Sequence, residues 1–412
     1  MTIPAAYRLP LVVALCALAY APTLRLPLIS DDWLQIALAR EYGSMSGWPA
    51  LALDPLYRCR ATSLILVSWI DRLFGVSAFA YNAASLALHI AASLLVLAAG
   101  SWRRIGWRVS APAAAFFAIH EAHQEAVMWS SALPDLLAFL FVAASFLAFA
   151  QWTETSRRAW LVASYAAFAL ALLSKESAAV APALLLIPAF AAGIPARRFW
   201  VLAPAFALSA VYAWLSVSGA AANQHYTDGT FSFSAPFAWT MLNSFVRLLW
   251  IWGLVAAGVL VFARRSGAMV LFASAWALAG LLPYSFLTYM DRVPSRHLYL
   301  ASAGLAIVVG AAFAALDHRR LALTLATLAI LHNCGYLWFR KFGQFAARAE
   351  PTEQLIDRVR RTSGPVWVRC FPFNDGIAVH AVAIATGASD RLRFGSEPPE
   401  GPFEEFCVRG RF

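Results

Sequence analysis

Charge is scarce in this chain. Only 13% of its 412 residues are Asp, Glu, Lys or Arg, against roughly 25% in a soluble domain. So few charges cannot cover a water-facing surface of this size, which excludes an ordinary cytosolic enzyme and a disordered chain. Lysine is nearly absent, occurring only as Lys175 and Lys341. Five cysteines are too few to build a disulfide-held secreted domain, and no spacing among them resembles a zinc site. No internal repeat of roughly 20–50 residues is visible. What is present is apolar: 61% of the residues are hydrophobic. The chain reads as a protein dissolved mainly in lipid.

A bilayer span needs about 20 mostly apolar residues. Runs of that kind fall at 8–28, 78–100, 109–120, 133–151, 159–174, 177–193, 199–218, 239–262, 268–288, 298–316 and 321–339. They make eleven expected spans, two of them short. The first resembles a signal peptide, but its apolar stretch continues through Leu28, which favours an uncleaved span. Two kinds of loop alternate between the runs. One kind carries Arg103-Arg104 with Arg108, Arg157-Arg158, Arg197-Arg198, Arg264-Arg265 and Arg319-Arg320, with only Glu154 and Asp317 as acids. The other kind carries Asp31, Asp32, Glu41, Asp54, His120, Glu121, His123, Glu125, Lys175, Glu176, His225, Asp228, Asp291, Arg292, Arg296 and His297. The positive-inside rule places the arginine pairs in the cytoplasm. The N-terminus is then cytoplasmic and the C-terminus exoplasmic. The net charge of +10 marks orientation and implies no nucleic-acid partner.

The expected organisation is a transmembrane unit over 1–340 and a small soluble appendage over 341–412. Within the first, the exoplasmic loop 29–77 ends in an amphipathic stretch, Ala61 to Phe74, that suits a helix lying in the membrane interface. In the tail, Glu353–Arg361 reads as a short polar helix, and Pro365–Phe371 and Ala378–Ile384 read as strands. This is an α+β appendage. Cys59, Cys370 and Cys407 fall on the side where disulfides persist, and sequence alone does not pair them.

Ionisable groups at the edges of apolar spans are costly unless solvated or paired, so they mark candidate sites. Four clusters lie on the exoplasmic face. Ser30-Asp-Asp-Trp33 offers two carboxylates, one able to take a proton and the other to orient it; a helix N-cap is the plainer reading. His120-Glu-Ala-His-Gln-Glu125, followed by Trp129 and Asp135, offers a polar substrate-facing loop. The spacing is not the His-Glu-x-x-His of zinc enzymes, and a solvated interfacial loop is the alternative. Ser174-Lys-Glu-Ser177 keeps a compact ammonium that suits a phosphate oxygen, or a local Lys175–Glu176 pair closing a turn. Asp291-Arg-Val-Pro-Ser-Arg-His-Leu-Tyr299 sets Arg292, Arg296 and His297 at the mouth of a span. Those groups can bind phosphate, or the arginines can snorkel while Tyr299 joins an aromatic belt.

Taken in order, these segments resemble the GT-C superfamily of polytopic glycosyltransferases that use polyprenyl- or dolichyl-phosphate sugars. The pattern is most similar to the multi-span protein O-mannosyltransferases that carry tetratricopeptide repeats, and to their bacterial relatives. The resemblance rests on Asp31-Asp32-Trp33, Tyr81 to His89, His120 to Trp129, Leu172-Leu-Ser-Lys-Glu176 with Pro182, and Arg296 to Gly304, covering about 30–305. Relatives often have Pro after the first His, where this chain has Glu121, and a basic residue just before the acid matching Asp135, where it has Pro134. The tail is too short for tetratricopeptide repeats.

The resemblance implies an all-α polytopic GT-C-like fold in the bacterial inner membrane. It also implies transfer of a sugar from a polyprenyl-phosphate carrier to an acceptor hydroxyl at the exoplasmic face, with inversion at C1. The partners are the lipid-linked donor, a glycan, lipid or protein acceptor, and membrane lipids. Asp31 or Asp32 would be the base. Lys175, Arg292 and Arg296 would face the phosphate, and His120, His123 and Glu125 would shape the sugar pocket. Asp135, Glu176, His297 and Tyr299 complete the candidate substrate-binding set. A divalent metal is compatible with this chemistry, but no ligand motif calls for one. The competing classes are a transporter or flippase for a lipid-linked sugar and a noncatalytic assembly subunit. A transporter predicts two related halves with polar groups at the midplane, and no such symmetry is visible.

Overall fold

The computed structural model describes residues 3–222, 224–227, 229–264, 267–288 and 294–409. In chain order the helices are α1 (Ala5–Tyr20), α2 (Asp31–Tyr42), α3 (Trp48–Leu53), α4 (Ala61–Phe74), α5 (Ala78–Ala98), α6 (Trp107–Ile119), α7 (Gln124–Met128), α8 (Leu133–Thr155) and α9 (Arg158–Leu172). Then come α10 (Ala181–Ala191), α11 (Ala203–Ser218), α12 (Gln224–Thr227), α13 (Phe237–Phe262), α14 (Ala268–Leu281), α15 (Ser302–Ala315), α16 (Arg319–Tyr336) and α17 (Phe342–Arg361). The chain closes with β1 (Val366–Cys370), α18 (Asp375–Thr386), β2 (Leu392–Phe394) and β3 (Glu404–Cys407).

A helix stands at each of the eleven expected spans. Among the described residues, six helical segments are long and apolar enough to cross a membrane: Ala5–Arg25, Ala78–Ser101, Ser130–Thr155, Ala196–Ser218, Phe237–Phe262 and Arg319–Arg361. The others, α6, α9, α10, α14 and α15, fall below the ~20 residues a straight span needs. Two of them are interrupted: a 3₁₀ turn precedes α10, which carries Pro188, and another, Leu282–Tyr284, follows α14.

α6, α8 and α15 are largely enclosed, with α6 packed on α15 and α5, and α5 on α8. Small residues set the spacing, as they do where helices pack in lipid. Gly310 of α15 lies against the Val109 carbonyl and Ala113 of α6, and Gly304 lies against Ala273 and Ala277 of α14. Neither place has room for a β-carbon.

α4 covers 61–74 as expected. Leu64, Val67 and Ile70 face the protein while Trp69, Leu73 and Phe74 are exposed. A bidentate Arg40–Asp71 pair at 2.8 and 3.0 Å ties it to α2.

Three differences from the sequence reading lie in the tail. The short polar helix is the end of a much longer one, because α16 runs through a π-helical turn at Leu337–Lys341 into α17. The boundary placed at 340 therefore falls inside a continuous helix. The expected strand Ala378–Ile384 is a helix, α18. Asn374 caps it by accepting from the Gly376 N–H, and Gly387, at φ 73°, ends it. Its buried residues Ile377, Ala378, Ala381 and Val382 repeat at helical spacing. The third difference is two strands the sequence reading does not mark: β2 and β3 flank β1 in a parallel sheet of order β2-β1-β3. Cys370 and Cys407 are joined across β1 and β3. α18 packs on both α17 and α2, so the tail rests on the helix that begins with the paired aspartates.

Candidate active site at one rim of the helix bundle

The rim opposite the arginine-pair loops gathers groups from five parts of the chain. Its frame starts at Ser30, whose φ of 36° is a left-handed value that Ser rarely adopts. α2 begins immediately after, and its first two residues have different surroundings. Asp32 is 3% exposed. One of its oxygens accepts from the Ile29 N–H at 2.8 Å, and the other accepts from the Ser131 N–H and Oγ at 2.6 and 2.7 Å. Burial pushes this carboxyl up to about 7 against the pull of those donors. Asp31 is only half-buried. Ser30 makes no capping bond, so the N-cap reading does not hold for its side chain. Asp32 instead binds the first loop to the start of α8.

Four residues beyond Ser131, about one helical turn, Asp135 meets Lys175. Their side chains lie 2.5 Å apart and are almost wholly enclosed. Burial pulls the Lys175 ammonium down to about 8, with Asp135 opposing the shift. The local Lys175–Glu176 pair does not form. Glu176 pairs with Arg60 at 3.1 Å, because Lys175 starts a 3₁₀ turn from an extended backbone, which separates the two side chains.

From Lys175 the contacts continue around the rim. Its ammonium lies 5.5 Å from the Tyr284 ring centre. Tyr284 stacks on His297 at 4.0 Å, nearly parallel. Arg296 donates from Nε to His297 Nε2 at 3.3 Å, and its backbone N–H donates to Glu125 at 3.1 Å. The Arg296 guanidinium lies 4.9 Å from the Trp129 ring centre, and that of Arg348 lies 4.7 Å from the same ring.

His120, His123 and Tyr299 sit elsewhere, inside the helix packing with His89, Tyr20 and Phe117. His89 Nε2 donates to the Ala118 carbonyl, so its Nδ1 accepts from the Tyr299 hydroxyl at 2.8 Å. Ser302 gives its proton to the Tyr299 carbonyl, so His123 Nε2 donates to Ser302 Oγ at 2.7 Å. Burial holds His123 far below the ordinary imidazole range. Both loop histidines thus pack within the bundle, which a solvated loop would not do, and Tyr299 is not in an aromatic belt. Arg292 and Asp291 lie outside the described residues, as does Asp228.

Sequence reasoning missed Arg60, Ser131, Tyr284 and Arg348. Arg60 and Arg348 have no spacing to mark them, and Tyr284 lies within an apolar run. No group of three or more His, Cys, Asp and Glu among the described residues is arranged to hold a metal ion. A cavity of about 280 Å³ lies away from these charges, between α5, α8, α14 and α15. Its walls are apolar, including Trp102, Phe146, Phe272 and Trp276, with Arg104 at its edge.

No protein-family model and no curated protein matches this sequence. Solved structures do match. ArnT from Cupriavidus metallidurans bound to undecaprenyl phosphate aligns with a TM-score of 0.57 at 15% identity, over 95% of this chain and 86% of that one. Its apo state aligns at 0.54 and 16% identity, over 94% and 85%. The oligosaccharyltransferase of Archaeoglobus fulgidus, tethered to an acceptor peptide, aligns at 0.54 and 11% identity, over 94% of this chain and 64% of that one. Likeness at such low identity is a likeness of architecture, and with the six long apolar helices it gives one result: this chain is an integral membrane protein with the GT-C fold.

Proposed function

We propose that the protein transfers a sugar from a polyprenyl-phosphate carrier to an acceptor hydroxyl at the exoplasmic face of a bacterial inner membrane. The arrangement that carries this reading is the start of α8. There Ser131 holds Asp32 and Asp135 holds Lys175, so the paired aspartates and the buried lysine are tied to one short segment. The solved structure of ArnT with undecaprenyl phosphate supports a lipid phosphate as donor, and the oligosaccharyltransferase with its peptide supports a separate acceptor.

The donor's phosphate lies at headgroup level and its tail in lipid, so the reaction belongs at the membrane rim. Asp31 takes the proton of the acceptor hydroxyl, whose oxygen attacks C1 from the face opposite the phosphate. The C1–O bond breaks, its electron pair leaves on the phosphate, and the sugar inverts. The transition state has oxocarbenium character, as in glycoside hydrolysis. The phosphate leaving group needs positive charge more than a proton, and Lys175, Arg292 and Arg296 supply it. Asp32, already accepting three hydrogen bonds, holds the turn that aims Asp31. Glu125, Glu176 and His297 keep the cations in place, with His120, His123 and Tyr299 forming the packed layer beneath.

The test uses purified full-length protein in nanodiscs with synthetic polyprenyl-phosphate sugars and lipid, glycan or peptide acceptors, read by mass spectrometry. Wild type forms the glycosylated acceptor and releases polyprenyl phosphate. Asp31→Asn loses at least about 100-fold in rate, the scale of general-base catalysis, with an unchanged unfolding temperature, whereas Asp32→Asn lowers both. An Asp31→Asn protein with full transfer would remove the base assignment. Movement of intact donor across the bilayer without transfer would replace the reading with a flippase.

A further inference from the structure

Two rim cations are neutralised in ion pairs: Lys175 with Asp135 and Arg60 with Glu176. Arg296 and Arg348 differ. Among the described residues neither forms an ion pair, yet both are half-buried and both lean on Trp129. Arg296 repels Arg348, and Glu125 is the acid that attracts Arg348 most, with Asp31 and Asp32 weaker. Trp129 is 6% exposed, and its indole N–H is buried with no hydrogen-bond partner. An indole N–H and a guanidinium are donors only. Three donor groups thus gather at one ring, two of them charged; Arg296 spends its Nε on His297 Nε2, and the Trp129 N–H has no protein acceptor. Leaving a buried donor unpaired is costly. An anion with several oxygens could accept from all three groups.

We infer that Arg348, carried by the C-terminal helix α17, completes a phosphate clamp with Arg296 and the Trp129 N–H. The ligand class is the monophosphate headgroup of an isoprenoid lipid, so the inference rests on the proposed donor and deepens it. A guanidinium fits phosphate with two parallel hydrogen bonds, and the phosphate offers enough oxygens for both arginines and the indole. The clamp makes the tail part of the site. Lys175, already neutralised by Asp135, then acts on the sugar side or on the leaving oxygen and is not the main phosphate anchor.

The experiment measures binding of farnesyl phosphate and farnesol to the full chain in nanodiscs, with unfolding temperature as the folding control. Wild type binds the phosphate ester at least about tenfold more tightly than the alcohol. Arg348→Gln removes most of that difference, about tenfold in Kd for a charge-assisted contact, and leaves farnesol binding unchanged. Arg348→Lys, which keeps the charge but not the fork, retains part of it. Arg361→Gln, an exposed change on the same helix, binds as wild type. Should Arg348→Gln fail to fold, Arg348→Lys decides: weaker phosphate binding supports the clamp, and binding equal to wild type overturns it. A folded Arg348→Gln protein that still prefers the phosphate ester fully overturns the clamp and leaves the proposed donor standing. Wild type with no preference for the ester overturns both.

Discussion

A single buried ammonium sets the pH response expected of the site. Lys175 has a pKa brought from the ordinary 10.5 down to about 8 by burial. For a base shifted this way, stability is fully present above 10.5 and is lost as pH falls towards 8. Activity follows the opposite course, because the charged form is the useful one and is depleted above about 8. The rate of sugar transfer should therefore fall on the alkaline side with an apparent pKa near 8, and Lys175→Arg should move that limb upward. Initial rates from pH 6 to 10 check both. Much of the candidate site is legible at residue level: Asp31-Asp32, Asp135, Lys175, Glu176 and Arg296 stand out as charges at the ends of apolar runs. Their partners were not legible. Lys175 reaches Asp135 across 40 residues and Glu176 reaches Arg60 across 116, and nothing local encodes such pairings.

Elements follow the same division. Apolar length marked where the helices of the bundle stand, and α4 covers the residues its amphipathic pattern marked. α18 reads equally as a strand because its seven residues Ala378–Ile384 are mostly small or β-branched, and what decides for a helix is the Asn374 cap and the Gly387 stop. Contacts between helices depend on shape that only packing reveals. Gly310 has the Val109 carbonyl where a β-carbon would go, while Gly258 of α13 has open space. Gly310→Ala should cost about 1–3 kcal/mol through overpacking, and Gly258→Ala should cost nothing. Thermal unfolding of the two purified variants makes the comparison.

At the scale of the molecule, orientation comes from arginine alone. The arginine-pair loops predict that Ser156→Cys, beside Arg157, is labelled by a membrane-impermeant thiol reagent only after cells are opened. Ser234→Cys, between α12 and α13, should be labelled in intact cells. The reverse pattern would turn the charged rim towards the cytoplasm and remove the exoplasmic assignment. The overall fold was legible because lipid demands long apolar helices whatever else the sequence does. The role of the tail was not, because it depends on where α17 points.

The 43-residue helix from Arg319 to Arg361 is about 65 Å long at 1.5 Å per residue, twice the ~30 Å hydrocarbon layer. Crossing that layer would use only about half of this shaft, and helical phase decides which side chain faces inward at each height. One residue added between Lys341 and Arg348 would rotate everything above by about 100° and swing the guanidinium off the indole, whereas four added residues would bring it nearly back into line at a different height. The shaft thus behaves like a key whose cut is read by angle, and the π-helical turn at its midpoint is where that angle is set.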